Sequence, residues 1–323
     1  MNDKIMNDIG KKLKEIQWSN HVIYFIFAGI ILLFSILLFD TAFLSGRNLM
    51  NIARQTAMIS IMAVGMTFVL ATGEIDLSFG SVVALSSLIT ALLLRSTGNI
   101  LISILAGLGS GFLVGLINGI FVAKVGIPSF LATLGMSSII LGLSRWISNL
   151  QSIAINNSRF VFIFGSGDIG PIPILFIWTI TAAVLGQLVL KKTPFGRKVL
   201  ATGGNKISAL YSGIQVTRIK IAVMTMNATM AALAGILYAG RLHGARYTLG
   251  EADVMIVIAA VIIGGTSMFG GKGAVVGSVL GALIMGILNN GLILLGLSVD
   301  QQIMFRGLII IIAVSLTMRK KRS

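Results

Sequence analysis

Apolar residues run through this chain in long stretches separated by short polar seams, and most stretches share one length scale. A helix rising about 1.5 Å per residue needs about 20 apolar residues to cross the hydrocarbon core of a bilayer. Runs of that order lie at 22–38, 52–71, 79–94, 100–123, 128–148, 172–190, 219–240, 254–268, 275–296 and 302–318, ten in all. The pattern predicts an all-α polytopic membrane protein. The runs at 79–94 and 254–268 are short or interrupted by glycine and are expected to be broken or tilted. Residues 1–20 are polar and no small-residue cleavage site follows the first apolar run, so no signal peptide is expected. The domain plan is a tail at 1–20, one transmembrane unit at 21–318 and a basic tail at 319–323.

One segment departs from the pattern. Lys191 to Thr217 carries Lys191, Lys192, Arg197, Lys198 and Lys206 and no acid. A basic, glycine-containing, predicted helical loop in so apolar a chain reads as a surface offered to a soluble partner.

The apolar runs also repeat. Gly111 and Gly115 in the fourth run precede Asn118-Gly119, and Gly277 and Gly281 in the ninth precede Asn289-Asn290-Gly291. The offset is 166 residues, and the same offset carries the second, third and fifth runs onto the seventh, eighth and tenth. Paired spans would run in opposite directions, which predicts an inverted repeat of helices 2–5 and 7–10. Small residues four apart also serve close helix packing on their own.

Composition agrees with a membrane location. Hydrophobic residues make up 56% and charged residues 11%, with a mean hydropathy of +0.97; soluble domains carry about 25% charged residues. The net charge of +15 reads as topology rather than nucleic-acid binding. Seventeen Lys and Arg gather on the side of the two tails, Lys124, Lys272, the 191–217 loop and the adjoining Arg218 and Lys220. Arg47, Arg95, Arg159, Arg241 and Arg246 fall on the other, so both termini and the loop are expected in the cytoplasm. With no cysteine and only His21 and His243, far apart, neither disulfides, a metal site nor a cysteine nucleophile is expected.

Little catalytic chemistry is on offer. The run Gly264 to Gly273 resembles a phosphate loop, but Thr266 stands where its first glycine belongs and Gly273 follows Lys272, so the match fails twice. No resident cofactor is expected. The segment Gly73-Glu74-Ile75-Asp76-Leu77-Ser78-Phe79-Gly80-Ser81 sets two acids beside glycines at what the topology makes the cytoplasmic boundary. Cation binding, proton relay and helix capping all fit; Glu74, Asp76 and Ser78 are read as loop and cap residues, with no acid expected in mid-span. Polar residues near or within spans, Asn118, Thr133, Asn227, Asn289 and Asn290, are the candidates for a translocation path or for ties between helices.

A family resemblance is carried by motifs in order over about 45–318: Met62 to Thr67, Ile75 to Ser78 with Gly80-Ser81, Phe130 to Gly135, Thr193 to Arg197, Ala201 to Asn205, Ser212 to Ile214, Ala259 to Ser267, and Asn289 to Gly291. These resemble the ribose-type permeases of bacterial ATP-binding-cassette importers. The resemblance implies a monosaccharide path, a pair of permease subunits, a separate cytoplasmic ATPase that binds the ATP, and an extracytoplasmic sugar-binding protein. It also implies an ATPase-coupling element at Gly196 to Gly213, drawing on Gly196, Arg197, Gly204, Asn205, Lys206, Ala209 and Gly213, with a short helix over Asn205 to Tyr211. The chain departs from the pattern in placing acids at Glu251 and Asp253 rather than at Val254 and Ile256, in Leu141 with Arg145 one turn on, and in Glu74. Permeases for branched-chain amino acids or nucleosides, and an ATPase-independent secondary transporter, are the alternatives.

Overall fold

The structure, a computed structural model, describes residues 23–25 and 27–319, without the side chains of 310 and 312–319. The tails at 1–20 and 320–323 lie outside the described residues. The first half comprises α1 (Ile23–Leu37), α2 (Gly46–Ala71), α3 (Phe79–Thr97), α4 (Ile100–Ile120, extended by a π turn to Val125), α5 (Ser129–Ser148) and the single turn α6 (Ser158–Val161). The second comprises α7 (Ile174–Lys192), α8 (Pro194–Gly204), α9 (Lys206–Tyr211), α10 (Val216–Arg241), α11 (Asp253–Ile263), α12 (Val275–Leu294) and α13 (Val299–Arg319). Four two-residue strands form two antiparallel pairs: β1 (Ile153–Ala154) with β4 (Gly244–Ala245), and β2 (Asp168–Ile169) with β3 (Ile172–Pro173).

Seven helices among the described residues are long and apolar enough to cross a membrane: α2, α3, α4 with its π turn, α5, α7, α10 and α12. The other three predicted spans fall on α1 and α11, which are shorter, and on α13. Side chains fix several ends. Ser45 and Asn99 accept the Asn48 and Ile102 amides at the starts of α2 and α4, and Gly98 closes α3 at φ +65°.

The packing has the symmetry of an inverted repeat. Helix α2 packs on α12 and α11 as α10 packs on α4 and α3; the α3–α4 and α3–α5 contacts are matched by α11–α12 and α11–α13. The two central helices, α2 and α10, also touch each other. They run in opposite directions: α2 ends at Ala71 beside Gly203 of α8, and the chain leaving α8 and α9 enters α10 at Val216. The glycines that announced the repeat all lie at close approaches, though against non-equivalent helices. A Cβ on Gly111 would come within 2.5 Å of the Ala228 carbonyl of α10, whereas one on Gly281 would come within 2.0 Å of the Ala260 carbonyl of α11. Helix α7 stands outside the repeat, in the slot between α2 and α12, with Gly186 against Val64 and Val275.

The two runs expected to be broken or tilted differ: 79–94 forms the unbroken α3, long enough to span, whereas 254–268 forms the short α11, which ends at Ile263. An irregular segment precedes each, 72–78 before α3 and 246–252 before α11. The two helix starts meet back to back: a Cβ on Gly80 would lie 2.7 Å from the Gly250 carbonyl, and one on Gly250, at φ +82°, 2.6 Å from that of Gly80.

Candidate functional site

Between Thr72 and Ser78 the chain is not helical, yet it turns back among α4, α5 and α10 rather than out to solvent. Successive residues of an extended backbone face opposite ways, and the segment uses this. Ile75 and Leu77 donate their amides to Ser129 Oγ (3.1 Å) and Thr133 Oγ1 (3.0 Å), one turn apart on α5. Asp76, between them, is aimed at α10. Its Oδ1 accepts the Ser78 amide (2.8 Å) and hydroxyl (2.7 Å), and its Oδ2 accepts Asn227 Nδ2 at 2.9 Å. Asn118 of α4 donates Nδ2 to Ser78 Oγ at 2.8 Å.

Asp76, Ser78, Asn118, Thr133 and Asn227 are all buried. No cation pairs with Asp76 among the described residues; its charge is met by amide and hydroxyl donors alone. Burying a carboxylate is costly unless donors satisfy it, which is what this cluster supplies. The Oδ1 atoms of Asn118 and Asn227 have no protein partner. The cluster is therefore an acid, two amides and several hydroxyls, able to exchange hydrogen bonds.

The structure thus brings together Asn118, Thr133 and Asn227 and sets Asn289 and Asn290 apart. Asn290 of α12 pairs reciprocally with Asn48 of α2, amide to amide, at 2.9 and 3.0 Å. Asn289 leaves its Oδ1 without a protein partner.

The Glu74–Ser78 segment differs from its expectation in three ways. Asp76 lies inside the protein against mid-α10, not at the boundary, because the segment re-enters along α10. Ser78 makes no side-chain cap bond, its hydroxyl being committed to Asp76 and Asn118. Glu74 caps nothing either; it forms an ion pair with Lys220 at the start of α10. At the other end of the bundle Arg54 of α2 binds Asp168 at 2.5 Å, Tyr238 donates to Asp253 at 2.6 Å, and Arg145 stacks 5.4 Å over the Tyr247 ring.

The 191–217 loop is two helices. Thr193 caps α8, accepting the Gly196 amide, with Pro194 in the first turn, where a missing N–H costs nothing. Asn205 caps α9, accepting the Ser208 amide at 3.0 Å, and the Gly213 turn at φ +78° leads on to α10. Gly196 has no room for a side chain: a Cβ would lie 2.1 Å from the Leu190 carbonyl. Gly204 does have room, its nearest neighbour being 3.8 Å away, whereas a Cβ on Gly203 would lie 1.9 Å from the Ala71 carbonyl. Sequence reasoning passed over Gly203; the adjacent glycine pair was its only sign. Ala209 is buried, while Arg197, Lys206, Ile207, Leu210 and Tyr211 are exposed, Tyr211 at 90%. This pair of helices carries an apolar surface among cations and projects from one end of the bundle.

A bundle of membrane-length helices in inverted repeat, with hydrogen-bonding groups buried inside and a helical pair exposed at one end, is the build of a multi-pass membrane transport subunit. The chain belongs to the family described as the permease component of branched-chain amino acid transport systems, whose model matches residues 48–314. It is 40% identical to the ribose import permease of Bacillus subtilis over 91% of this chain and 92% of that protein. It is 34% identical to an L-arabinose ABC transporter permease of Azospirillum brasilense (89% and 86% covered) and 35% identical to the D-allose transport system permease of Escherichia coli (93% and 91%). No solved structure matches the chain.

Proposed function

We propose that the chain is the membrane subunit of an ATP-driven importer for ribose or a closely related monosaccharide, in the plasma membrane of a bacterium. The observation that carries this reading is the α8–α9 pair, whose exposed Ile207, Leu210 and Tyr211 sit among cations in a segment without acids. That surface suits a soluble ATPase with a partly acidic groove. The ribose, arabinose and allose permeases similar to the chain favour a sugar over a branched-chain amino acid.

In this reading both termini and the α8–α9 end face the cytoplasm, where the excess of Lys and Arg lies. An extracytoplasmic binding protein delivers sugar to the β1–β4 end, and two copies of the chain pair so that each of two ATPases has a docking surface. ATP is bound and hydrolysed by the partner; this chain contributes no catalytic group. The hydroxyls and amides around Asp76 are suited to exchange hydrogen bonds with sugar hydroxyls or to hold the conformations between which the path alternates.

The test is reconstitution in vesicles with a cytoplasmic ATPase and a sugar-binding protein of a ribose-type importer. Ribose should accumulate only with all three components and ATP. Uphill uptake by the chain alone, or uptake of leucine in place of any pentose or hexose, would overturn the proposal.

A further inference from the structure

One break in the repeat leaves a groove. On α2 the slot toward α12 is filled by α7, with Gly186 against Val64 and Val275. The equivalent slot, between α10 and α4, is covered by no described helix. It is a groove of about 510 Å³ lined by Phe112, Ile221, Thr225, Met226, Thr229 and Met230, with Arg218 at its end. The 166-residue offset carries Val64, which meets α7, onto Met230, which lines the groove. The Thr225 and Thr229 hydroxyls already donate to the carbonyls of Ile221 and Thr225, so the lining presents little unmet polarity.

Met230 lies twelve residues beyond Arg218 on α10, a rise of about 18 Å, or roughly one leaflet of the hydrocarbon core. The apolar lining begins where the charge ends. Arg218 is exposed at the α8–α9 end of the groove, and the exposed Lys124 lies in the π turn packed against α10. Neither forms an ion pair among the described residues. An apolar slot one leaflet deep, with the exposed Arg218 at its end and a second cation, Lys124, on the π turn packed against the same helix, matches a molecule with an acyl chain and an anionic head. Basic pockets between transmembrane helices on the cytoplasmic side suit anionic lipid headgroups.

We propose that the α4–α10 groove is a binding site for an anionic phospholipid, one acyl chain lying along Thr225 and Thr229 and the headgroup phosphate meeting Arg218 and Lys124. The lipid would take on α10 the place that α7 takes on α2. The cytoplasmic leaflet as its source rests on the orientation proposed above; the site itself does not.

The chain has no cysteine, which permits a two-part test. First, purified protein is titrated with phosphatidylglycerol or phosphatidylcholine and retained lipid is read by native mass spectrometry. Phosphatidylglycerol should be retained in preference, Arg218→Gln should weaken it about five-fold, and adding Lys124→Gln about five-fold again, at about 1 kcal/mol per cation. Thr229→Phe, which fills the groove without touching the cations, should displace both lipids. Equal retention of the two lipids by the parent protein, or no effect of Arg218→Gln, would overturn the proposal. Second, Thr225→Cys is oxidised in membranes. A disulfide-linked dimer would make the groove an interface between two copies and overturn the lipid site, whereas a monomeric thiol reactive only toward a lipid-soluble maleimide supports it. Because neither readout involves transport, failure here leaves the proposed importer role standing, and the reverse.

Discussion

The hydrogen bond from Asn227 to Asp76 joins the centre of α10 to the re-entrant segment, and its removal should be felt more than its single bond implies. Asn227→Leu keeps the approximate volume and deletes the donor, leaving Asp76 Oδ2 buried without a partner. A hydrogen bond to a charged group contributes about 1.5–3 kcal/mol, and an orphaned buried acceptor costs about 1–3 kcal/mol. Interhelical bonds measured within membranes are weaker, about 0.6 kcal/mol on average and about 1.7 at most. The Asp76 bond should exceed that range because the carboxylate is buried and no cation among the described residues pairs with it. We expect Asn227→Leu to cost about 2 kcal/mol in reversible unfolding from mixed micelles. Asp76→Ala combined with Asn227→Leu should cost about 1.5–2 kcal/mol less than the sum of the single changes, since either one breaks the same bond. A coupling below about 0.5 kcal/mol would refute the reasoning, because it would mean that Asp76 is neutral or solvated.

Asn290→Leu should behave differently from Asn118→Leu. The former loses the paired amides with Asn48, about 1–2 kcal/mol of stability, while sugar flux per folded molecule is unchanged; flux falling faster than stability would place Asn290 on the path. Gly80→Ala and Gly250→Ala each drive a methyl into a carbonyl at the contact between the α3 and α11 starts. Each should cost about 1–3 kcal/mol, read as a lowered unfolding midpoint in detergent, with Gly250 the more sensitive because its φ of +82° disfavours any side chain; variants as stable as the parent would show that the two starts do not meet.

What could be read in the sequence was what one helix decides by itself. Apolar run length located the membrane helices, and the 166-residue offset gave a repeat that the paired contacts reproduce. The run at 79–94, expected to be broken or tilted, forms the continuous α3, but the shortness of α11 was signalled by its run at 254–268. The destination of 72–78 was not. Gly-Glu-Ile-Asp reads as boundary loop, and only Ser129 and Thr133, more than 50 positions later, supply the hydroxyls that let its backbone enter the protein. Asn118, Thr133 and Asn227 were recognisable as polar residues in spans, but their meeting depends on how three helices surround Asp76. Asn289 and Asn290 show the same limit within one helix. Adjacent residues point about 100° apart, and nothing local told which would find Asn48.

Gly203 is where the α8–α9 pair reaches the interior. Its Cα packs on the Ala71 carbonyl, which also accepts the Gly271 amide at 3.0 Å. Three backbones therefore converge at the residue where α2 ends and the chain begins its return toward Asp76. Glu74, three residues on, is tied to Lys220 at the start of α10. Displacement of α8 by a partner has a short rigid route through backbone, rather than through flexible side chains, to the segment that holds the polar cluster. Gly203→Ala places a methyl 1.9 Å from the Ala71 oxygen, so α8 must move away. Gly204→Ala, one residue along, meets nothing closer than 3.8 Å and is the matched control. Both variants should insert and bind the ATPase through the unchanged Ile207, Leu210 and Tyr211. Only Gly203→Ala should then separate the two activities, retaining ATP hydrolysis while sugar uptake per ATP falls about ten-fold, a loss of about 1.4 kcal/mol in coupling. Equal coupling ratios for the two variants would mean that the α8–Ala71 contact transmits nothing, and that the route to the interior runs through another part of the loop.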